Sequence, residues 1–224
     1  ILLFLGVVGV AVSLVAVWKI GAWHLVFPSH QHDTEAPVIP RDLASPAVLV
    51  FSKTNSFRHV EGIEGGAKAL QVITQRNNWG MFHTENGAVF NARDLARFDA
   101  VVFLNASGDM LSDEQEHAFE TWLQAGGGWL GIHAAGDGSH LEWQWYREHL
   151  IGATFTAHIM GPQFQTAMVV LENHQHPVLR GLPNVWEHEE EWYSWERSPR
   201  AEGFTILSTL DENSYVPVQD FMGN

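Results

Sequence analysis

The sequence predicts an α/β protein whose parallel sheet is covered by helices on both faces, and three observations lead to that fold class. Short apolar runs with the composition of buried strands occur at residues 47–51, 99–104 and 129–132. Longer segments with apolar residues at helical spacing separate them, at residues 62–77 and 112–125. Strands that alternate with helices along a chain are typical of a parallel sheet with two covered faces.

Local signals support these elements in chain order. Residues 81–84 are compatible with a further strand after the first helix. Ser112 and Gln115 have the spacing of a capping box at the start of the second helix, and residues 126–128 (GGG) end it. Ligands of parallel α/β sheets bind at the carboxyl ends of the strands, so the loops after residues 51, 104 and 132 are the expected site.

Composition excludes several classes of function. The 224 residues carry a net charge of -14, which disfavours a nucleic-acid partner because acidic surfaces repel phosphate. The chain has no cysteine, which excludes disulfides, thiolate metal sites and a cysteine nucleophile.

The first 27 residues predict a membrane anchor. Residues 1–18 contain no charged side chain, and Trp18 and Trp23 suit a membrane interface. No small-residue cleavage site follows, which favours an uncleaved transmembrane helix over a signal peptide. We therefore expect a membrane-anchored protein whose folded domain is periplasmic or otherwise extracytoplasmic.

Residues 28–46 form the predicted linker, since four prolines and scattered polar residues disfavour a packed element. His30 and His32 form an HxH pair there, for which a solvated pair is favoured over a metal site. The folded domain is predicted at residues 47–224, with its carboxyl-terminal part incomplete.

His133 is the leading candidate for chemistry. It directly follows a predicted strand, in the turn GGGWLGIHAAGDG of residues 126–138, and its neighbours are small. Such surroundings are typical of a strand-to-helix elbow that exposes one functional side chain. A histidine there can act as a base, an acid or a metal ligand, whereas a loop histidine of purely structural role is the alternative.

The other expected loops add polar candidates. Arg58 and His59 follow the first strand, and Asn105 follows the strand at residues 99–104. Each residue could face the same crevice, and each is also ordinary in a turn.

Aromatic residues close to carboxylates suggest a sugar ligand. Trp143, Trp145 and Trp192 could stack on pyranose rings, although core packing is the alternative for each. In the acidic run at residues 187–195, Glu191 lies beside aromatic residues and is the carboxylate expected to turn inward.

Taken in order, several segments together resemble the ThuA-like (trehalose utilisation) family. They are AVLVF with NSFRH, HTENGAVF, FDAVVFLNASGDML, GGGWLGIHAAGDG, WQWYREHLIGATFTAH, HPVLRGLP, EEEWYSW and DENSY. The resemblance covers roughly residues 48–215 and implies a flavodoxin-like fold of the class I glutamine amidotransferase type.

The resemblance also implies a role in carbohydrate metabolism. Related amidotransferases carry a cysteine at the elbow where this chain has His133, so glutaminase chemistry is not expected. The positions that match the family's pattern are Arg58, His59, His133, Asp137, His158, Glu191 and Tyr193.

Two functions follow as expectations. The first is an enzyme acting on a glycoside or keto-sugar, with His133, Glu191 and Tyr193 as catalytic residues. A divalent metal such as zinc would be held by His59, His133 and His158, while Arg58, Asn105, Asp137 and the three tryptophans would bind substrate. The second is a non-catalytic, membrane-tethered carbohydrate-binding module, and a tethered interaction domain has no positive feature in its favour.

Overall fold

A computed structural model describes residues 2–217, with side chains described for residue 9 and from residue 11 onward. The predicted domain end at residue 224 lies outside the described residues. The helices are α1 (Leu2–Lys19), α2 (Trp23–Val26), α3 (Val60–Arg76), α4 (Ala92–Leu95), α5 (Asp113–Gln124) and α6 (Gln144–Tyr146). The strands are β1 (Ala47–Phe51), β2 (Gly80–Thr84), β3 (Ala100–Leu104), β4 (Gly128–Ile132), β5 (Phe155–His158), β6 (Gln165–Leu171), β7 (Val185–Glu190), β8 (Tyr193–Trp195) and β9 (Ser208–Leu210).

Short turns of helix complete the elements. The 3₁₀ turns are Gly87–Val89, His133–Gly136, Pro177–Leu179 and Pro199–Glu202, and a π-helical turn is formed by Arg147–Ile151. The chain divides into two compact units, residues 1–143 and residues 144–224.

The first unit contains the predicted parallel sheet. Its strand order is β2-β1-β3-β4, and all neighbouring strands are parallel. This is the order of the first four strands of a flavodoxin-like sheet, in which the chain reverses its direction of winding between β1 and β3. The sequence-based prediction of the fold class is confirmed for this unit.

The two faces of the sheet are covered by different side chains. Because side chains alternate along a strand, Val48, Val50, Val102 and Leu104 form one cluster, against which Ala67 and Leu70 of α3 pack. The other face carries aromatic rings: the Phe103 ring lies 5.2 Å from that of Phe119 in α5. Burial of both faces explains why these strands are continuous apolar runs rather than alternating ones.

Helix α5 begins as the sequence predicts. The side-chain oxygen of Gln115 accepts the backbone N–H of Ser112 at 3.1 Å, which is one half of the predicted capping box. This hydrogen bond gives an acceptor to a backbone N–H at the start of the helix, where no intrahelical acceptor is available.

The predicted transmembrane anchor finds no support in the structure. Helix α1 ends at Lys19, and Gly21 then adopts a φ of 77°, which separates α1 from the four-residue α2. Gly21 also accepts the backbone N–H of Arg58 at 2.9 Å. Within residues 2–217, no helix has both the length and the apolar character needed to cross a membrane.

Residues 28–46, which we call the strap, contain neither helix nor strand, as their prolines predict. The strap is nevertheless packed against the first unit. Ile39 is buried, and the carbonyl oxygen of Ile39 accepts a hydrogen bond from Arg97 at 3.3 Å. The term linker therefore describes its lack of regular structure but not its contacts.

The second unit is built from short antiparallel strands. Strands β7, β6 and β9 form one sheet in that order, and β5 pairs with β8. Residues 187–190 of the acidic run form most of β7, in which four of six residues are exposed.

Candidate functional site

The carboxyl ends of β1 and β3 lie side by side and are joined by backbone contacts. Thr54 and Ser107 form an isolated parallel bridge, and the N–H of Asn55 donates to the carbonyl oxygen of Ser107 at 2.8 Å. This is the point at which the winding of the sheet reverses, where ligands of such folds bind. The loops expected from the sequence to form the site are thus adjacent.

His133 occupies the elbow after β4 in a backbone conformation that is unusual for its type. Its φ is 54°, in the left-handed region that residues with a β-carbon rarely adopt. The neighbouring Ala134 and Ala135 are fully buried, and a β-carbon at Gly131 would lie 2.7 Å from the ring of Trp129. Small residues around a strained histidine are the arrangement that an elbow requires.

His59 lies directly against His133. The two ring centroids are 4.4 Å apart in an edge-to-face arrangement, and both side chains are half-buried. His59 is the residue that precedes α3, and the ring of Phe57 also contacts it, with centroids 4.7 Å apart. The loop after β1 and the elbow after β4 therefore bring two imidazoles together, although 74 residues separate them in sequence.

Asn105 adds a second unusual backbone conformation at the same sheet edge. Its φ is 51°, it is 2% exposed, and its N–H donates to the carbonyl oxygen of Ile132 at 3.1 Å. A β-carbon at Gly62 would lie 3.1 Å from the amide nitrogen of Asn105, so glycine permits the close approach of α3. Within residues 2–217, the side-chain oxygen of Asn105 has no hydrogen-bond partner.

Arg58 is held by a carboxylate. Its guanidinium donates to both oxygens of Glu85, at 2.6 and 3.1 Å, and to the hydroxyl of Thr54 at 3.1 Å. A bidentate pair of this kind fixes the orientation of the guanidinium. Substrate binding by Arg58 stays a prediction, and it would require a ligand to share or displace Glu85.

Asp137 links two of the site loops. Its carboxylate accepts hydrogen bonds from the backbone and the hydroxyl of Ser139, and the Ser139 hydroxyl accepts the N–H of Gly108 at 2.8 Å. These hydrogen bonds give Asp137 a structural role. Its predicted contact with substrate stays a prediction.

The sequence interpretation did not single out His140, which is 4% exposed in the same turn. Its ring contacts the carbonyl oxygen of Ala134 at 3.2 Å, and burial lowers the pKa of its imidazole. The only sequence signal was its place within the loop after β4.

Acidic side chains gather beside these loops. Burial, together with the nearby carboxylates of Asp113, Asp109, Glu120 and Glu142, raises the pKa of Glu116 in α5 to about 8. The sequence did not predict that this carboxyl group is partly buried, because a glutamate on an acidic helix is expected to be exposed to solvent.

In the second unit, Glu191 is buried, as predicted. Its carboxylate accepts a hydrogen bond from the side chain of Gln163 at 2.6 Å and lies 3.6 Å from Nδ1 of His158. The rings of His158 and Tyr193, paired across β5 and β8, are stacked with centroids 6.3 Å apart. Three of the predicted site residues therefore form one cluster within this unit.

The tryptophans proposed as a sugar platform have separate surroundings. Trp143 is 5% exposed and its indole N–H donates to Glu120 at 2.9 Å. Trp145 contacts the ring of His149 at 5.4 Å, and the indole N–H of Trp192 donates to a backbone oxygen at 2.7 Å. Their predicted sugar contacts stay untested, and the burial of Trp143 favours the core alternative for that residue.

The predicted three-histidine metal site draws on both units. His59 and His133 adjoin each other in the first unit, whereas His158 belongs to the second unit beside Glu191. That metal site stays a prediction.

A parallel sheet of flavodoxin-like order, with a histidine at the elbow after β4, defines a class of α/β domains with a site at the strand ends. The family model of ThuA, described as trehalose utilisation, matches residues 47–224. The chain therefore belongs to the ThuA family. No curated protein matches it.

Two solved structures are similar to the chain. A ThuA-like protein from Bacteroides uniformis is 23% identical with a TM-score of 0.66, over 84% of this chain and 79% of that one. A ThuA-like protein from Parabacteroides merdae is 19% identical with a TM-score of 0.59, over 75% of this chain and 70% of that one. At these identities the likeness shows the shared fold.

Proposed function

We propose that the chain is an enzyme of carbohydrate metabolism that acts on a glycoside or keto-sugar, with His133 as its proton-transferring residue. The observation that carries the proposal is the strained backbone of His133 at the strand elbow, in ring contact with His59. Strain of this kind costs about 1–3 kcal/mol. It persists only where the surrounding structure enforces it, and it is concentrated at active sites. Membership of the ThuA family supports the sugar class of substrate.

The chemistry follows from the properties of imidazole. A neutral His133 can accept the proton from the carbon beside a sugar carbonyl, and the electron pair of that bond then moves onto the carbonyl oxygen as an enolate. His59, in ring contact, limits the orientation of the base. Asn105 supplies a buried amide at the same sheet edge, suited to a sugar hydroxyl because its oxygen accepts hydrogen bonds.

The second unit contributes its own acid–base candidates to this proposal. Glu191 is buried and close to His158, a pairing that lets a carboxylate and an imidazole exchange a proton. We assign an acid–base role within the second unit to Glu191 and Tyr193, to be tested separately from His133.

The test is proton exchange and turnover with the full chain. Trehalose and its keto derivative would be incubated in D₂O and followed by NMR, beside His133→Ala and the control His117→Ala, whose side chain is 82% exposed on α5. We expect exchange or turnover by the wild-type chain, a loss of about 10²- to 10⁴-fold in His133→Ala, and no change in His117→Ala.

Two outcomes would count against the proposal. Activity retained by a folded His133→Ala would remove His133 as the proton-transferring residue. Saturable sugar binding without exchange or turnover, unchanged in His133→Ala, would instead support the non-catalytic carbohydrate-binding module.

A further inference from the structure

The strap holds two histidines in fixed positions. Asp33 accepts hydrogen bonds from Lys53 at 2.6 Å and from the N–H of Gly87 at 2.8 Å, and its backbone oxygen accepts one from Gln115 at 2.7 Å. Asn55, at the end of β1, donates to the backbone oxygen of Gln31 at 3.3 Å. Residues 30 and 32 are therefore held between anchored neighbours.

Both strap histidines bind one carboxylate. Nδ1 of His30 lies 2.8 Å from one oxygen of Asp109, and Nε2 of His32 lies 2.9 Å from the other. Asp109 itself is held in the loop after β3, where its backbone oxygen accepts a hydrogen bond from Asn55. An aspartate with a histidine on each oxygen has a defined orientation.

Glu142 completes a group of three donors from three separate segments. One ligand atom from each of His30, Asp109 and Glu142 lies within 4.8 Å of the other two. Donor atoms around a zinc ion lie about 3–4 Å apart, because each metal–ligand bond is about 2.0–2.2 Å long. Glu142 is exposed, so its side chain has room to move toward that spacing when an ion binds.

A cavity of about 230 Å³ adjoins the group at the switch point of the sheet. Asp109, Glu116 and Glu142 all line it, while no lysine or arginine occurs among the described residues of its wall. The carboxylates of Asp109 and Glu142 repel each other across this cavity, and a bound cation would offset that repulsion. The cavity also leaves room for water or substrate beside the ion.

We propose that His30, Asp109 and Glu142 bind one divalent transition-metal ion, with His32 as the residue that positions Asp109. One imidazole and two carboxylates form a donor set that suits zinc or manganese rather than soft metals. The hydrogen bond of His32 to the second oxygen of Asp109 is the outer-shell contact that orients a ligating carboxylate. The site uses neither His133 nor His158, so it does not rest on the proposed function.

The strap thereby gains a role that its composition does not suggest. It supplies one ligand, and the other two ligands come from the folded domain. A bound metal would therefore hold the strap in place beside the carboxyl ends of β1 and β3. A plain ion pair between His30 and Asp109 is the competing explanation, and it does not involve Glu142.

The experiment is titration of the chelator-treated full chain with Zn²⁺, followed by calorimetry, and with Co²⁺, followed by visible absorption. The variants are His30→Ala, Glu142→Gln, His32→Ala and His133→Ala, with Glu61→Gln as an exposed carboxylate control on α3. Glu142→Gln is the decisive variant, because the Glu142 side chain is exposed and the substitution is therefore expected to leave the fold intact.

We expect one equivalent of metal in the wild-type chain, bound with at least about tenfold lower affinity by His30→Ala and Glu142→Gln. His32→Ala should weaken binding by about 10- to 100-fold, because His32 orients the ligating carboxylate of Asp109. Glu61→Gln and His133→Ala should bind metal as the wild type does. The inference is overturned if the wild-type chain binds no stoichiometric metal. It is overturned equally if Glu142→Gln and His30→Ala retain wild-type affinity, or if binding is lost in His133→Ala alone.

Discussion

The parallel sheet of the first unit and the antiparallel strands of the second differ in how their side chains meet solvent. All five residues of β1 are buried, whereas four of the six residues of β7 are exposed. A strand buried on both faces must be apolar throughout, so its composition reveals it. A strand with one face in solvent can contain as many charged residues as a loop. The sequence of β7 (VWEHEE) has the composition of a charged surface segment.

The largest expected difference between the units is the loss of unfolding free energy when a leucine is replaced by alanine. Leu104 is fully buried between strands and α3, so Leu104→Ala should lower the free energy of unfolding by about 2–5 kcal/mol. Leu182 in the second unit is 48% exposed, so Leu182→Ala should change it by about 0.5 kcal/mol or less. Urea unfolding followed by circular dichroism measures both values, and equal losses would break the comparison.

A smaller contrast concerns buried and solvated carboxylates. The pKa of Glu116 is raised from 4.5 to about 8, so its contribution to stability is present below pH 4.5 and is lost as the pH rises through 8. With chelator present, Glu116→Gln should therefore stabilise the chain at pH 9 but not at pH 4.5. Because the side chain is partly exposed, solvent screening reduces the gain to the order of 1 kcal/mol.

Thermal unfolding at the two pH values gives this measurement. Glu187→Gln, an exposed carboxylate of β7, is the matched control and should have the same melting temperature as the wild type at both. A Glu116→Gln variant whose stability follows the wild type at both pH values would show that its carboxyl group is solvated like those of β7.

The smallest expected effect compares two adjacent glycines on α3. A β-carbon at Gly65 meets nothing within 4 Å, so Gly65→Ala should stabilise the helix by up to about 1 kcal/mol. A β-carbon at Gly66 would lie 2.5 Å from Cδ1 of the buried Leu104, so Gly66→Ala should lose that gain or destabilise the chain. Melting temperatures distinguish the two, and equal stabilisation would mean that α3 packs loosely on the sheet.

Much of the first unit was predictable because its signals are local. The strands at residues 47–51 and 129–132, the start of α5 near Ser112 and the elbow at His133 follow from apolar runs, capping residues and glycines that are adjacent in sequence. The inward turn of Glu191 followed from its aromatic neighbours in the same way.

The transmembrane helix predicted at the amino terminus finds no support among the described residues. Hydropathy describes the average character of residues 1–27, and it does not reveal that Gly21 is left-handed or that its carbonyl oxygen accepts the N–H of Arg58. The role of Asp109 was missed similarly, because the two histidines that contact it lie 77 and 79 residues away in the chain.

The sequence by itself determined the parallel α/β core, the loops that end its strands and the histidine at the elbow. These depend on burial periodicity and backbone propensity, which act over a few neighbouring residues. Only the tertiary structure decided that His59 contacts His133, that the strap lies along the unit, and that His30 reaches Asp109. Such contacts join side chains across long stretches of chain, and the packing of the whole unit, rather than any local preference, brings them within reach.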